Sequence, residues 1–173
     1  IRLAPACNSA ILKASMGSGA QMSMALAGSI FLRRQAARRP KLLVGYSDLT
    51  ALLAFASTRL KIPCIHGPMT AADLATRFDA EALDAFARLA AGDVSPREPW
   101  GEPMERLRGG AAEGTLTGGC LSVLTALLST PHEPDFRGAL LFLEDVQEPA
   151  YRLDRMLTQW VHSGKWSKIS GII

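Results

Sequence analysis

Residues 41–60 constrain the fold more than any other stretch. Lys41–Tyr46 (KLLVGY) is a short apolar run of the kind that fills a buried parallel strand. Ser47-Asp48 follows at once, and a helical pattern then runs from Leu49 to Leu60, with Leu49, Leu52, Leu53, Ala56 and Leu60 on one face. A buried strand that turns directly into a helix needs a parallel neighbour and a covering layer. This points to α/β architecture.

The rest of the chain repeats the alternation. Pro63–His66 reads as a brief strand closed by Gly67-Pro68. Asp79 is placed to cap a helix reaching about Ala91, with Leu83, Phe86, Ala87 and Ala90 on its apolar face and Gly92 ending it. Asp93–Gly110 is rich in Pro, Gly and charge and reads as a linker. Ala112–Leu116 is expected to be a strand, Gly118-Gly119 a tight turn, and Cys120–Leu128 a buried helix. Pro131–Gly138 is a loop. Ala139–Leu143 (ALLFL) is the clearest strand of the chain, ended by Glu144-Asp145. Pro149 suits the first turn of a helix that runs to about His162 with Met156, Leu157 and Trp160 inward. Gly164 ends it, and Ile169–Ile173 begins another strand. Arg2–Ala6 could be a further short strand.

Composition excludes several functions. Net charge is only +3, and the arginines at 33, 34, 38 and 39 have no interleaved aromatics, so no nucleic-acid surface is expected. Cys7, Cys64 and Cys120 are far apart and odd in number, which argues against a disulfide framework or zinc site. No apolar run reaches the roughly 18–20 residues of a membrane span. P-loop, GxGxxG and HExxH patterns are absent.

Three groups could carry chemistry. Gly45-Tyr46-Ser47-Asp48 has the strand–turn–helix context of a nucleophile elbow, in which the hydroxyl emerges at the carboxyl edge of a sheet and the Asp48 N–H could hold an oxyanion. Leu49 replaces the second glycine of that pattern, and a Ser or Asp before a helix is more commonly a cap. Glu144, Asp145 and Glu148 stand at the carboxyl end of a buried strand, where α/β sheets place functional groups; a helix cap is the competing role. His66 ends a strand and could be a base, although a structural, hydrogen-bonded histidine is commoner. His132 and His162 read as loop and helix-surface residues.

Taken in order, PKLLVGYSDLTALL (40–53), IHGPMTA (65–71), EGTLTGGCLSVLTALLSTPHEPDF (113–136) and GALLFLEDVQEPAYRLDRMLTQW (138–160) resemble the serine LD-carboxypeptidases, or muramoyltetrapeptide carboxypeptidases. That family includes the microcin C self-immunity peptidases. The motifs cover residues 38–173. The resemblance implies the end of a Rossmann-like nucleophile domain (38–92), a linker (93–110) and the start of a C-terminal α/β domain (111–173), with residues 1–37 unassigned. It implies Ser47 as nucleophile, Glu144 (second choice Glu148) as the carboxylate that orients a histidine, and the Asp48 N–H as oxyanion donor. The substrate would be a murein peptide, cut at the L–D bond to its terminal D-alanine in cytoplasmic cell-wall recycling. No metal or cofactor is needed, and family members often pair as homodimers. A microcin C-type amide hydrolase and a non-catalytic binding module are the alternatives.

Three departures qualify the resemblance. Cys120 stands where the family's GGN has asparagine, and Ile30–Gln35 stands where an RGGYG-like segment is expected. The family's catalytic histidine lies well beyond the LED segment. The chain starts at Ile1 without methionine and stops at Ile173 inside an apolar run, so a partial, inactive or nearly inactive sequence is expected.

Overall fold

A computed structural model describes residues 42–69, 73, 79–93 and 105–173. The candidate strand at Arg2–Ala6, the basic cluster at 33–41 and Cys7 lie outside these residues.

The first unit is β1 (Leu43–Gly45), a single 3-10 turn (Ser47–Leu49), α1 (Thr50–Phe55) and β2 (Cys64–His66). α1 continues as a wider helical turn over Ala56–Leu60 and ends at Lys61, which takes left-handed backbone (φ 59°). β1 and β2 pair in parallel, Gly45 opposite His66. Every residue of α1 is buried, not only the predicted stripe. Leu52, Leu53 and Ala56 pack on Leu43, while Ala54 faces the second unit and joins its core.

α2 (Ala80–Ala90) stands apart from both cores. Asp79 caps it as expected, its carboxylate accepting the Ala82 N–H at 2.8 Å. None of its residues is buried and Leu83 remains 40% exposed, so the expected apolar face is not packed away. Such a helix depends on its cap rather than on burial. Asp79→Ala is expected to cost about 1 kcal/mol of helix stability, read as faster amide exchange across 80–90 with little change elsewhere.

The second unit is β3 (Thr115–Cys120), α3 (Leu121–Leu127), β4 (Ala139–Glu144), α4 (Ala150–His162) and β5 (Gly171–Ile172). Its three strands form a parallel sheet in the order β3-β4-β5. The expectation of a strand at 112–116 followed by a glycine turn is corrected here. β3 runs through Gly118 and Gly119, which pair with Phe142 and Leu143. The two glycines have φ of 153° and 132°. A Cβ on Gly118 would overlap the Phe142 carbonyl oxygen, and one on Gly119 would come within 2.6 Å of Thr50 Oγ1. They are glycines because other chain segments press against the strand, not because the chain turns there.

The core of this unit gathers Leu121, Leu124, Leu128, Phe136, Leu141 and Trp160 around Ala54 of α1. Trp160 points inward as expected, and Met156 packs on this cluster. Leu157 does not; it is 39% exposed, and Leu153 takes the inward place. Leu153, Met156 and Trp160 are spaced i, i+3 and i+7 and form the inward stripe, with Leu157 at its edge. Pro149 is the cap residue of α4 rather than its first-turn residue, with extended ψ of 145°.

Polar contacts join the two units. The Cys120 N–H donates to Thr50 Oγ1 at 3.1 Å, and the Asp135 N–H donates to Thr58 Oγ1 at 3.0 Å. Ser57 and Thr117 hydroxyls meet at 3.3 Å.

Candidate active site

The carboxyl ends of β1, β2, β3 and β4 meet around Ser47, His66, Cys120 and Glu144. Register places them there. Gly45 opposes His66 in one sheet and Cys120 opposes Glu144 in the other. The Thr50–Cys120 hydrogen bond ties the helix that follows Ser47 to the end of β3.

Ser47 has φ of 55°. A non-glycine residue in left-handed backbone is uncommon and marks a constrained turn. Ser47 is not the helix cap that local physics favoured. Tyr46 precedes the turn and Leu49 precedes α1, neither capped by a side chain. The Ser47 side chain is exposed and has no hydrogen bond among the described residues. Leu49 explains the missing second glycine of the elbow pattern. Its side chain folds back over Gly45, where any Cβ would overlap Leu49 Cδ1. The residue before the turn is also held, since the Tyr46 hydroxyl donates to Asp73 at 3.4 Å.

Glu144 is the last residue of β4 and half-buried. Its Oε1 has no hydrogen-bond partner among the described residues. Burial, and then the charge of neighbouring Asp145, raise its carboxyl above the ordinary range. Asp145 has a different duty. Its Oδ2 accepts the Ser122 N–H at 2.9 Å in the first turn of α3, and Oδ1 accepts the Val146 N–H at 2.9 Å. Burial opposes ionisation of Asp145, but these N–H groups outweigh it and leave its pKa lowered. The expected cap at Asp145 therefore serves the preceding helix, not the following one. Glu148 pairs with Arg152 one turn on, at 3.4 Å. Glu144 and Glu148 line one cleft of about 320 Å³ with Leu121, Leu143, Gln147 and Leu153.

The three histidines separate. His66 Nε2 lies 3.6 Å from Glu144 Oε1. His132 is in the turn after α3, its N–H donating to Thr130 Oγ1 at 3.2 Å, and His162 is exposed at the end of α4. Sequence reasoning did not see the His66–Glu144 contact, because the two residues lie 78 positions apart in different sheets. Cys120, in the family's asparagine position, is buried with its Sγ 3.1 Å from Ser122 Oγ. No group of His, Cys, Asp and Glu among the described residues could hold a metal ion.

Comparison with known proteins gives the family. The model of the LD-carboxypeptidase N-terminal domain matches residues 7–67, and that of the C-terminal domain matches residues 113–173. The chain belongs to the LD-carboxypeptidase family. The match begins at residue 7, well upstream of residue 38, where the motifs had placed its start.

A murein tetrapeptide carboxypeptidase of Pseudomonas aeruginosa is 38% identical over 140 residues, covering 75% of this chain and 44% of that protein. The Bacillus subtilis protein named probable murein peptide carboxypeptidase is 38% identical over 138 residues, covering 79% of this chain and 43% of its own. The crystal structure of muramoyltetrapeptide carboxypeptidase from Oxalobacter formigenes superposes with a TM-score of 0.66 at 26% identity, covering 88% of this chain and 58% of that one. The microcin C7 self-immunity protein MccF shares the fold at 20% identity and a TM-score of 0.61, covering 81% of this chain and 50% of that one. The chain spans about half the length of the relatives it matches, 52% for a Streptomyces coelicolor protein at 39% identity.

Proposed function

We propose that Ser47 is the nucleophile of an LD-carboxypeptidase acting on murein tetrapeptide. The single observation that carries this reading is its left-handed backbone at the end of a buried strand, with the hydroxyl exposed. An elbow holds a serine in this way so that substrate can reach it. The Ser47 Oγ attacks the carbonyl that joins an L-centre to the terminal D-alanine. The serine proton passes to a histidine and then to the leaving amine as the C–N bond breaks; water then releases the acyl group. The Asp48 N–H, at the start of the 3-10 turn, would hold part of the oxyanion. Glu144 would orient the histidine from the end of β4, where the sheets meet. Glu148, which faces Arg152, is the second choice for that task.

None of the chain's three histidines fits the base. His66 turns Nε2 to Glu144 while its Nδ1 is buried without a partner, so it does not bridge Glu144 to Ser47. The other two make no contact with Glu144 among the described residues. By itself, the chain is therefore expected to cleave murein tetrapeptide more slowly than a complete triad by on the order of 10⁴-fold or more. Free D-alanine is the measurement. Added imidazole should raise the rate by supplying the missing base, and Ser47→Ala should abolish that gain. Release at an ordinary enzymatic rate without imidazole would place the base within the chain. A gain that survives Ser47→Ala would place the nucleophile elsewhere. An acyl-sulfamoyl-adenylate peptide assayed in parallel separates the microcin-type amide hydrolase.

In this reading residues 38–92 belong to the nucleophile domain, 93–110 cross between domains and 111–173 belong to the C-terminal domain. The reaction would serve cell-wall recycling in the cytoplasm, and pairing as a homodimer is testable by light scattering. No described helix is long and apolar enough to cross a membrane.

A further inference from the structure

We propose that His66 is a positioning residue, whose Nε2–H fixes the orientation of the Glu144 carboxylate across the junction of the two sheets. This rests on the role proposed above for Glu144.

The imidazole is anchored on both sides. Its backbone pairs with Gly45, and the following Gly67 N–H donates to the Gly45 carbonyl at 3.1 Å, so the ring is rooted on the strand beside the one that delivers Ser47. Its ring packs edge-on against Phe142, with centroids 5.0 Å apart and planes at 73°. Phe142 and Glu144 are two residues apart on β4 and share one face of the sheet. The ring therefore reaches from β2, the neighbour of the strand that leads to Ser47, to the face of β4 that carries the carboxylate.

The proton's place follows from what surrounds the ring. A carboxylate can only accept, and Nε2 faces one at 3.6 Å. Nδ1 is buried with no partner among the described residues. An N–H left there would be an unpaired buried donor, whereas a lone pair is the cheaper group to leave unpaired. The neutral ring therefore carries its proton on Nε2, aimed at Glu144. Burial lowers the His66 pKa and so favours that neutral form. The 3.6 Å separation is a few tenths of an ångström beyond hydrogen-bonding range, and the role requires that gap to close.

The test uses the 173-residue chain and two independent readouts. Long-range proton–nitrogen correlation on His66 should show the Nε2–H tautomer; the Nδ1–H tautomer would overturn the proposal without any variant being made. Carbon-detected titration of Glu144 is the second readout. Beside Asp145, its titration should move to higher pH in His66→Leu, which removes the donor. It should return toward the wild-type position in His66→Gln, which keeps an amide N–H of similar reach. A structural role alone would not make the two variants differ, and identical Glu144 titrations in all three proteins would sink the idea. Imidazole-supported turnover adds a functional arm. His66→Leu should lower it by up to about 100-fold, the loss that roughly 1 Å of misplacement carries, and His66→Gln should recover much of it. Should imidazole support no turnover at all, the nucleophile reading fails, while tautomer and titration still decide the role of His66.

Discussion

Trp160→Ala is expected to unfold the second unit more readily than any other single truncation in its core. Trp160 is fully buried and is the largest side chain to be so. It lies between Phe136, at 5.0 Å, and Trp166, at 5.4 Å between ring centroids. Its indole N–H donates to Thr125 Oγ1 at 2.9 Å, and Thr125 in turn donates to the Leu121 carbonyl at 2.7 Å. Truncation opens a cavity in the cluster that joins α1, α3 and β4, and costs about 3–5 kcal/mol. For a chain of this size that corresponds to a fall in Tm of roughly 10 °C, measurable by calorimetry. Trp160→Phe separates the two contributions. It keeps much of the ring but leaves the Thr125 hydroxyl without its donor, a loss of about 1–2 kcal/mol. A Phe variant as damaging as Ala would mean that the hydrogen bond dominates packing here.

The fold was legible wherever local pattern and burial agree. The run KLLVGY, the helix after Ser47, the cap at Asp79 and the strand ALLFL all form near their predicted places. Each depends on near neighbours in sequence: apolar periodicity, a capping side chain, a run of β-formers. Two kinds of feature were not legible. One is a glycine whose reason lies in another segment. Gly118 and Gly119 look like a turn in sequence, yet their constraint comes from Phe142 and Thr50. The other is a contact between strand ends of separate sheets. His66 and Glu144 each end a predicted strand, but only the assembled register brings them to 3.6 Å.

Ser47 shows how the two kinds of information combine. Its elbow context was visible, and so was the competing role as a helix cap. Backbone geometry decides against the cap, because the residue sits at φ 55° and its hydroxyl caps nothing. Family motifs had pointed to Glu144 without a physical reason for preferring it to Glu148. The two differ in their neighbours. Glu148 faces Arg152 one turn on in the chain, whereas Glu144 faces His66 across the junction of the sheets.

The second large effect is expected at Gly118, where fold and site depend on the same atoms. Gly118→Ala puts a methyl group into the Phe142 carbonyl oxygen, a backbone atom that cannot swing aside, and does so at φ 153°. Overpacking and backbone strain each carry about 1–3 kcal/mol, so a combined loss of roughly 3 kcal/mol or more is expected. The damage should be directional. Gly118 pairs with Phe142 two positions before Cys120 pairs with Glu144. Pushing β4 away at Phe142 therefore moves Glu144 from His66 as well. Chemical denaturation measures the stability loss, and the Glu144 carboxyl titration measures the displacement. Gly138→Ala is the control. It also has positive φ, at 66°, but a Cβ there meets nothing within 4 Å. It should cost only the strain of its backbone and leave the Glu144 titration unchanged. A Gly118 variant that behaves like the Gly138 control would show that β3 and β4 do not approach as closely as their register requires.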